Sequence, residues 1–176
     1  HGELCLGSDL EDAFAAARAL EEVCEARVQD QMGGARLVPV PPDLGFSRRQ
    51  GDTFRLVRRG RSRLYPIAGA SLPRAAALHA AVYRGGDFQC VAHETAWEVL
   101  AAAVQGHRLR PYLDDLAQIA GVEIRCVPAE PGRVKRAVGG RNAVLLQGMG
   151  ALCAGASESD VEAVRILLRK GCAAQL

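Results

Sequence analysis

Among the residues of this 176-residue chain that could do chemistry are four histidines and two clusters of basic residues. His1 and Met149 are the most instructive pair, because they hold the same place in two copies of one segment. At a fixed offset of 148 residues, Gly2, Leu4, Cys5, Gly7, Asp12, Ala15, Leu20, Cys24 and Ala26 recur as Gly150, Leu152, Cys153, Gly155, Asp160, Ala163, Leu168, Cys172 and Ala174. Nine ungapped identities in twenty-eight positions indicate an internal repeat, which has to be recognised before any fold is assigned. Where the first copy offers an imidazole, a potential metal ligand, the second offers a thioether.

His93 closes the apolar run 88–93 and has two readings: a metal ligand, or a histidine satisfied by hydrogen bonds at a strand end. Glu94 could replace a missing ligand. Adjacent strand residues point to opposite faces, however, so His93 and Glu94 would not converge. His79 sits inside an apolar helix and reads as structural. Arg48, Arg49, Arg55, Arg58, Arg59, Arg61 and Arg63 fall within sixteen residues, and Arg133, Lys135, Arg136 and Arg141 form a second cluster. Arg58, Arg59 and Arg61 are candidates for binding an anion or an acidic partner. Nucleic acid is a weaker reading, since few aromatics interleave for stacking, and a solvated hairpin explains the same run.

These residues need elements to position them. Leu4-Cys5-Leu6 predicts a short strand, Gly7 a turn, and Ser8 or Asp9 an N-cap for the helix that Leu10, Phe14, Ala17, Leu20 and Cys24 pattern. Gly33-Gly34 stops that helix. Residues 39–52, with three prolines and two glycines, read as a linker. Strands are expected at 54–57 and 63–67 around a Gly60 turn, then a helix over 73–84, a strand over 88–93, and helices over 94–104 and 111–120. Strands at 122–127, 142–147 and 151–155 and a helix over 159–170 complete the chain. Interleaved helices and strands predict a layered α/β fold.

Four stretches then line up in order. They are Leu78-His79-Ala-Ala-Val82-Tyr83, Val91-Ala92-His93-Glu94-Thr95, Arg141-Asn142 through Gln147-Gly148-Met149-Gly150, and Cys153-Ala-Gly155 through Asp160-Val-Glu-Ala163. This series resembles the class II aldolase/adducin family over roughly residues 50–176, and residues 1–40 resemble that family's C-terminal end. The resemblance divides the chain into 1–40, the strand-turn-helix tail of one aldolase-like unit; 41–52, a linker; and 53–176, an N-terminally shortened second unit. It implies a three-layer α/β/α sandwich around a mainly antiparallel sheet, often assembled as a four-fold oligomer. It also implies a zinc ion held by a His-x-His pair and a third histidine in an Asn-His-Gly turn, with a glutamate as acid/base. Three nitrogens would leave zinc a coordination position for substrate, where it polarises a carbonyl.

Against that pattern, the His-x-His pair is here His93-Glu94-Thr95, and the Asn-His-Gly turn is Gly148-Met149-Gly150. The acid/base glutamate falls at Ala75, and the serines that would contact a substrate phosphate fall near Leu72 and Pro73. The expectation is therefore a non-catalytic aldolase-like domain with no cofactor, serving a structural role by pairing with an active unit or supporting a homo-oligomer. The alternative is a zinc-dependent lyase acting on a small hydroxy-carbonyl or sugar-phosphate compound, with His93 and His1 as metal ligands. A third reading is an arginine-dependent anion or nucleic-acid module. Six cysteines without Cys-x-x-Cys spacing read as reduced core thiols in the cytoplasm. No apolar run approaches the roughly 20 residues of a membrane helix. A start at His1 implies a chain cut from something longer, or renumbered.

Overall fold

A computed structural model describes residues 5–31, 41–69, 71–111 and 114–175. Two compact units are present, His1–Leu37 and Val38–Leu176. Among the described residues the first holds one helix, α1 (Leu10–Gln31). Asp9 caps it: its Oδ1 accepts the Asp12 N–H at 2.9 Å and its carbonyl accepts the Ala13 N–H at 3.1 Å, which satisfies donors a helix start leaves orphaned. The strand expected at residues 4–6 is not formed over Cys5–Gly7, which are irregular. A strand needs a ladder partner to satisfy its backbone, and none pairs with those residues. His1, Leu4 and the Gly33-Gly34 stop lie outside the described residues.

The second unit is built on a seven-stranded sheet. Its elements are β1 (Phe46–Gln50), β2 (Thr53–Arg58), β3 (Arg61–Pro66), α2 (Arg74–Tyr83), β4 (Cys90–Glu94), α3 (Trp97–Gln105), α4 (Asp114–Ala120), β5 (Cys126–Val127), α5 (Pro131–Val138), β6 (Ala143–Leu146), β7 (Gly150–Gly155) and α6 (Glu158–Gln175). Across the sheet the order is β3-β2-β1-β4-β7-β6-β5. Every pair is antiparallel except β5 with β6.

Strand alternation divides the core into two layers. Val91, Leu152, Ala154, Val144 and Leu146 face α2 and α5 with Leu78, Val82 and Val134. Their neighbours Cys90, Ala92, Cys153, Ala143 and Leu145 face α3, α4 and α6 with Val99, Leu116 and Leu168. The architecture is the three-layer α/β/α sandwich expected.

Three local expectations are corrected. Residues 41–52 are not a linker throughout, because Phe46–Gln50 form β1 and lie between β2 and β4. The polar run Ser47-Arg48-Arg49-Gln50 hides a strand stabilised by neighbours on both sides, and its fully buried Ser47 is hydrogen-bonded. Helix α5 was not expected; Pro131 opens it and Gly139, in a left-handed conformation (φ 47°), closes it, the usual asymmetry of helix ends. The strand predicted at 122–127 shrinks to Cys126–Val127 plus an isolated bridge between Leu109 and Ile124. No helix among the described residues is long and apolar enough to cross a membrane.

Gly150 fixes how β7 starts. Its φ is +86°, and a Cβ there would lie 2.2 Å from the Glu94 carbonyl oxygen. Gly140 has a similar φ of +83° with open space around it. Gly140→Ala is expected to cost about 1 kcal/mol from backbone strain alone, and Gly150→Ala about 2–4 kcal/mol because a clash adds to the strain. Urea unfolding of both variants checks this, and equal losses would contradict the close approach.

Candidate functional site

The residues singled out at the end of β4 and the start of β7 come together. The β6–β7 turn, closed by the Met149 N–H donating to the Leu146 carbonyl at 2.9 Å, carries Gly148 and Gly150 at positive φ and places Met149 beside His93. The His93 Nε2–H donates to the Met149 carbonyl at 2.7 Å. On the other side of the ring, Nδ1 accepts the Leu44 N–H at 3.1 Å. Both nitrogens are thus engaged, in one tautomer. Burial pushes the His93 pKa down, outweighing the Met149 carbonyl and Asp43, which favour the charged form. The ring is neutral at physiological pH.

Arginine and methionine finish this corner. Arg74, at the first turn of α2, directs its Nη2 at the Met149 sulfur, 3.2 Å away. Ala75 beside it is 3% exposed and belongs to the same core layer as Met149. Thr95 lies just past β4, its Cα 3.4 Å from where a Gly150 Cβ would be.

Glu94 points the other way, as alternation requires. It is 2% exposed and held by α6: Oε2 accepts from Arg165 Nε at 2.8 Å, Arg169 Nε at 2.9 Å and Arg169 Nη2 at 2.7 Å. Oε1 accepts the Ala96 N–H at 2.7 Å, anchoring the start of α3. Burial alone would raise the carboxyl pKa; Arg169, the Ala96 N–H and Arg165 outweigh it, so the pKa lies below its ordinary value. Sequence reasoning missed this ion triad. Its signal was the spacing of Arg165 and Arg169, four apart and so on one helix face.

A third group is wholly internal. The Ser47 Oγ lies 2.7 Å from His79 Nδ1 and 2.8 Å from the Tyr83 hydroxyl, while His79 Nε2 is buried without a hydrogen-bond partner. Burial pushes the His79 pKa down to about 3, and the nearby His93 ring adds to the effect. Inaccessible to any substrate, His79 is structural, as its apolar helix implied.

Arg58, Arg59 and Arg61 lie far along the sheet at the β2–β3 turn. Arg58 stands directly across from Arg61, Arg59 has a positive φ of 48°, and like charges facing each other cost stability. Two surface depressions, of about 410 and 460 Å³, are lined chiefly by α6 with β1 and by the β5 edge, and neither includes His93.

The sequence profile of the class II aldolase and adducin N-terminal domain matches residues 46–176. This chain belongs to the class II aldolase/adducin family. Solved structures of similar fold include an L-fuculose-1-phosphate aldolase from Thermus thermophilus, at 18% identity and a TM-score of 0.62 over 85% of this chain and 90% of that one. Another is an L-fuculose 1-phosphate aldolase from Glaciozyma antarctica, at 19% identity and a TM-score of 0.56 over 98% and 77% of the two chains. A third is an aldolase II superfamily protein from Pseudomonas syringae, at 17% identity and a TM-score of 0.55 over 86% and 70%. Among curated proteins none gives a significant sequence match.

For a member of this family, the corner around His93 is a poor host for zinc. A zinc ligand must present a free lone pair, and the single His93 lone pair is already taken by the Leu44 N–H. Thr95 and Met149 supply no imidazole, and among the described residues no three His, Cys, Asp or Glu side chains gather.

Two outcomes test these electrostatics. Since the unfolded chain protonates His79 near 6.5 and the folded one only near 3, unfolding takes up a proton in that window. Stability is therefore expected to fall by at least about 1.4 kcal/mol per unit as pH drops below 6.5, with His93 adding to the loss because its pKa is lowered as well. Glu94, lowered on folding, adds to the loss below its ordinary carboxylate value of 4.5. Urea midpoints that stay flat from pH 7 to 5 would contradict the buried neutral His79. At pH 7, replacing Arg165 and Arg169 together by Met strands a buried carboxylate and is expected to cost about 3–5 kcal/mol. Glu94→Gln should cost less, because the two guanidiniums can turn to water; calorimetric melting that ranks the variants in reverse would refute this balance.

Proposed function

We propose that this chain is a non-catalytic class II aldolase/adducin domain with a structural role, pairing with an active aldolase-type unit or supporting an oligomer. One observation carries the reading. His93, which alone retains its identity among the implied ligand positions, spends both ring nitrogens on the backbone of Leu44 and Met149. Hydrogen bonds here take the place of a metal, and the Arg74 guanidinium brings a fixed positive charge beside Met149. The frame that would position a catalytic centre is retained while its reactive side chains are replaced by Ala75, Thr95 and Met149. All six cysteines are free thiols, which fits a reducing cytoplasmic setting, although only Cys90, Cys153 and Cys172 are the buried core thiols expected and Cys24 is exposed.

The competing reading is a zinc-dependent lyase acting on a small hydroxy-carbonyl or sugar-phosphate compound, with His93 and His1 as ligands. Metal analysis separates the two. The purified chain is expected to hold well under 0.1 zinc per chain, an order-of-magnitude expectation of about one site in ten or fewer. Thr95→His with Met149→His should raise zinc content toward one per chain and raise the melting temperature when zinc is added. Near-stoichiometric zinc in the unmodified chain, lost on His93→Ala, would overturn the non-catalytic reading.

A further inference from the structure

Strand β3 is the outer strand of the sheet, and its register shows which of its backbone groups lack a partner. The Arg59-Gly60 turn has both residues at positive φ, 48° and 71°, the conformation of a tight two-residue hairpin. At the far end of the pair the Ile67 N–H donates to the Asp52 carbonyl at 2.9 Å. Bonded and non-bonded pairs alternate along an antiparallel ladder. Arg61, Arg63 and Tyr65 therefore bond to β2, across from Arg58, Leu56 and Phe54. Ser62 and Leu64 turn their N–H and C=O groups outward, where among the described residues no strand pairs with them.

The side chains around this edge are of two kinds. On the face that carries Phe54 and Leu56 into the core stand Arg58, Arg61 and Arg63; on the other stand Arg55, Val57, Ser62 and Leu64. No residue of β2 or β3 joins the core beneath α3, α4 and α6, so Val57 is 42% and Leu64 51% exposed. Among the described residues no carboxylate pairs with Arg55, Arg58, Arg59, Arg61 or Arg63. Arg55 reaches the Ser62 hydroxyl, Nη1 to Oγ, at 3.5 Å.

We propose that β3 is a docking edge for an extended acidic peptide, added to the sheet as a further strand in which carboxylates alternate with apolar residues. Main-chain bonds to Ser62 and Leu64 supply the affinity, and the alternation of side chains supplies the specificity. Positions across from Arg61 and Arg63 carry the carboxylates, which also relieve the repulsion between Arg58 and Arg61. Positions across from Ser62 and Leu64 lie on the face of Val57 and carry the apolar side chains. A second copy of β3 has no carboxylate to offer, and basic residues on an edge keep like edges apart. Nucleic acid fits less well, because Arg55, Val57, Ser62 and Leu64 include no ring on which a base could stack. This edge goes beyond the pairing role proposed above and stands whether or not the chain holds zinc.

Fluorescence anisotropy with the full chain tests this, the probe being a labelled peptide of about eight residues that alternates Glu with Val. Saturable binding is expected, about tenfold tighter than for a peptide of the same composition with its glutamates and valines in separate blocks. Ser62→Pro removes one outward N–H at a place an edge strand tolerates, and is expected to weaken binding about tenfold. Arg61→Glu with Arg63→Glu is expected to abolish binding and to create it for a peptide alternating Lys with Val; this pair decides alone if Ser62→Pro fails to fold. No binding, equal binding of the block peptide, or a folded Ser62→Pro variant that binds unchanged overturns the proposal. Poly(U) RNA that displaces the probe at lower concentration than unlabelled peptide makes the occupant nucleic acid and overturns it too. So does a concentration-dependent dimer in sedimentation velocity that Ser62→Pro disperses, which makes the occupant a second copy. Zinc content decides the non-catalytic reading and peptide binding decides this one, so the two fail separately.

Discussion

The Glu94 carboxylate sits where β4, α3 and α6 meet, and the arrangement on both faces of the sheet follows from how it is held. Its side chain is closed by Arg165, Arg169 and the Ala96 N–H, while its carbonyl lies against Gly150. Residue 94 thus ties β4 to α6 through an ion triad and to β7 through a contact that tolerates no side chain. Because strand neighbours alternate, fixing Glu94 toward α6 turns His93 toward α2. There it meets Leu44 and Met149 instead of other imidazoles.

That division separates what ties the sheet to its helices from what stands at the His93 corner. Membership in the class II aldolase/adducin family rests on the profile match over residues 46–176, and the solved relatives, all under 20% identical, share the scaffold. A scaffold does not carry its chemistry with it. The end of β4 and the β6–β7 turn are regular parts of that scaffold, paired through β7. The side chains on them serve hydrogen bonding and packing.

Much of the fold was legible because apolar period and glycine punctuation marked it: β2 and β3 around Gly60, α2 after Pro73, β6 and β7 around Gly148. What escaped did so for physical reasons. Strand β1 reads as polar because Ser47 is buried yet satisfied by His79 and Tyr83, a condition created by residues 32 and 36 positions away. Helix α5 has only Val134, Ala137 and Val138 buried, too short a stripe to stand out among its basic neighbours. At the site, alternation correctly separated His93 from Glu94. The partners of Glu94 lie 71 and 75 residues on, and sequence spacing alone cannot bring such pairs together.

The turn at Gln147-Gly148-Met149-Gly150 is held by its main chain as much as by its side chains. Met149 joins its neighbours through its carbonyl and its amide as well as its sulfur, and the first two belong to the backbone and survive any substitution except proline. A substitution at residue 149 would therefore disturb a buried site beside Arg74 more than the path of the turn. The shape of the turn and the chemistry of its side chain are thus set by different atoms.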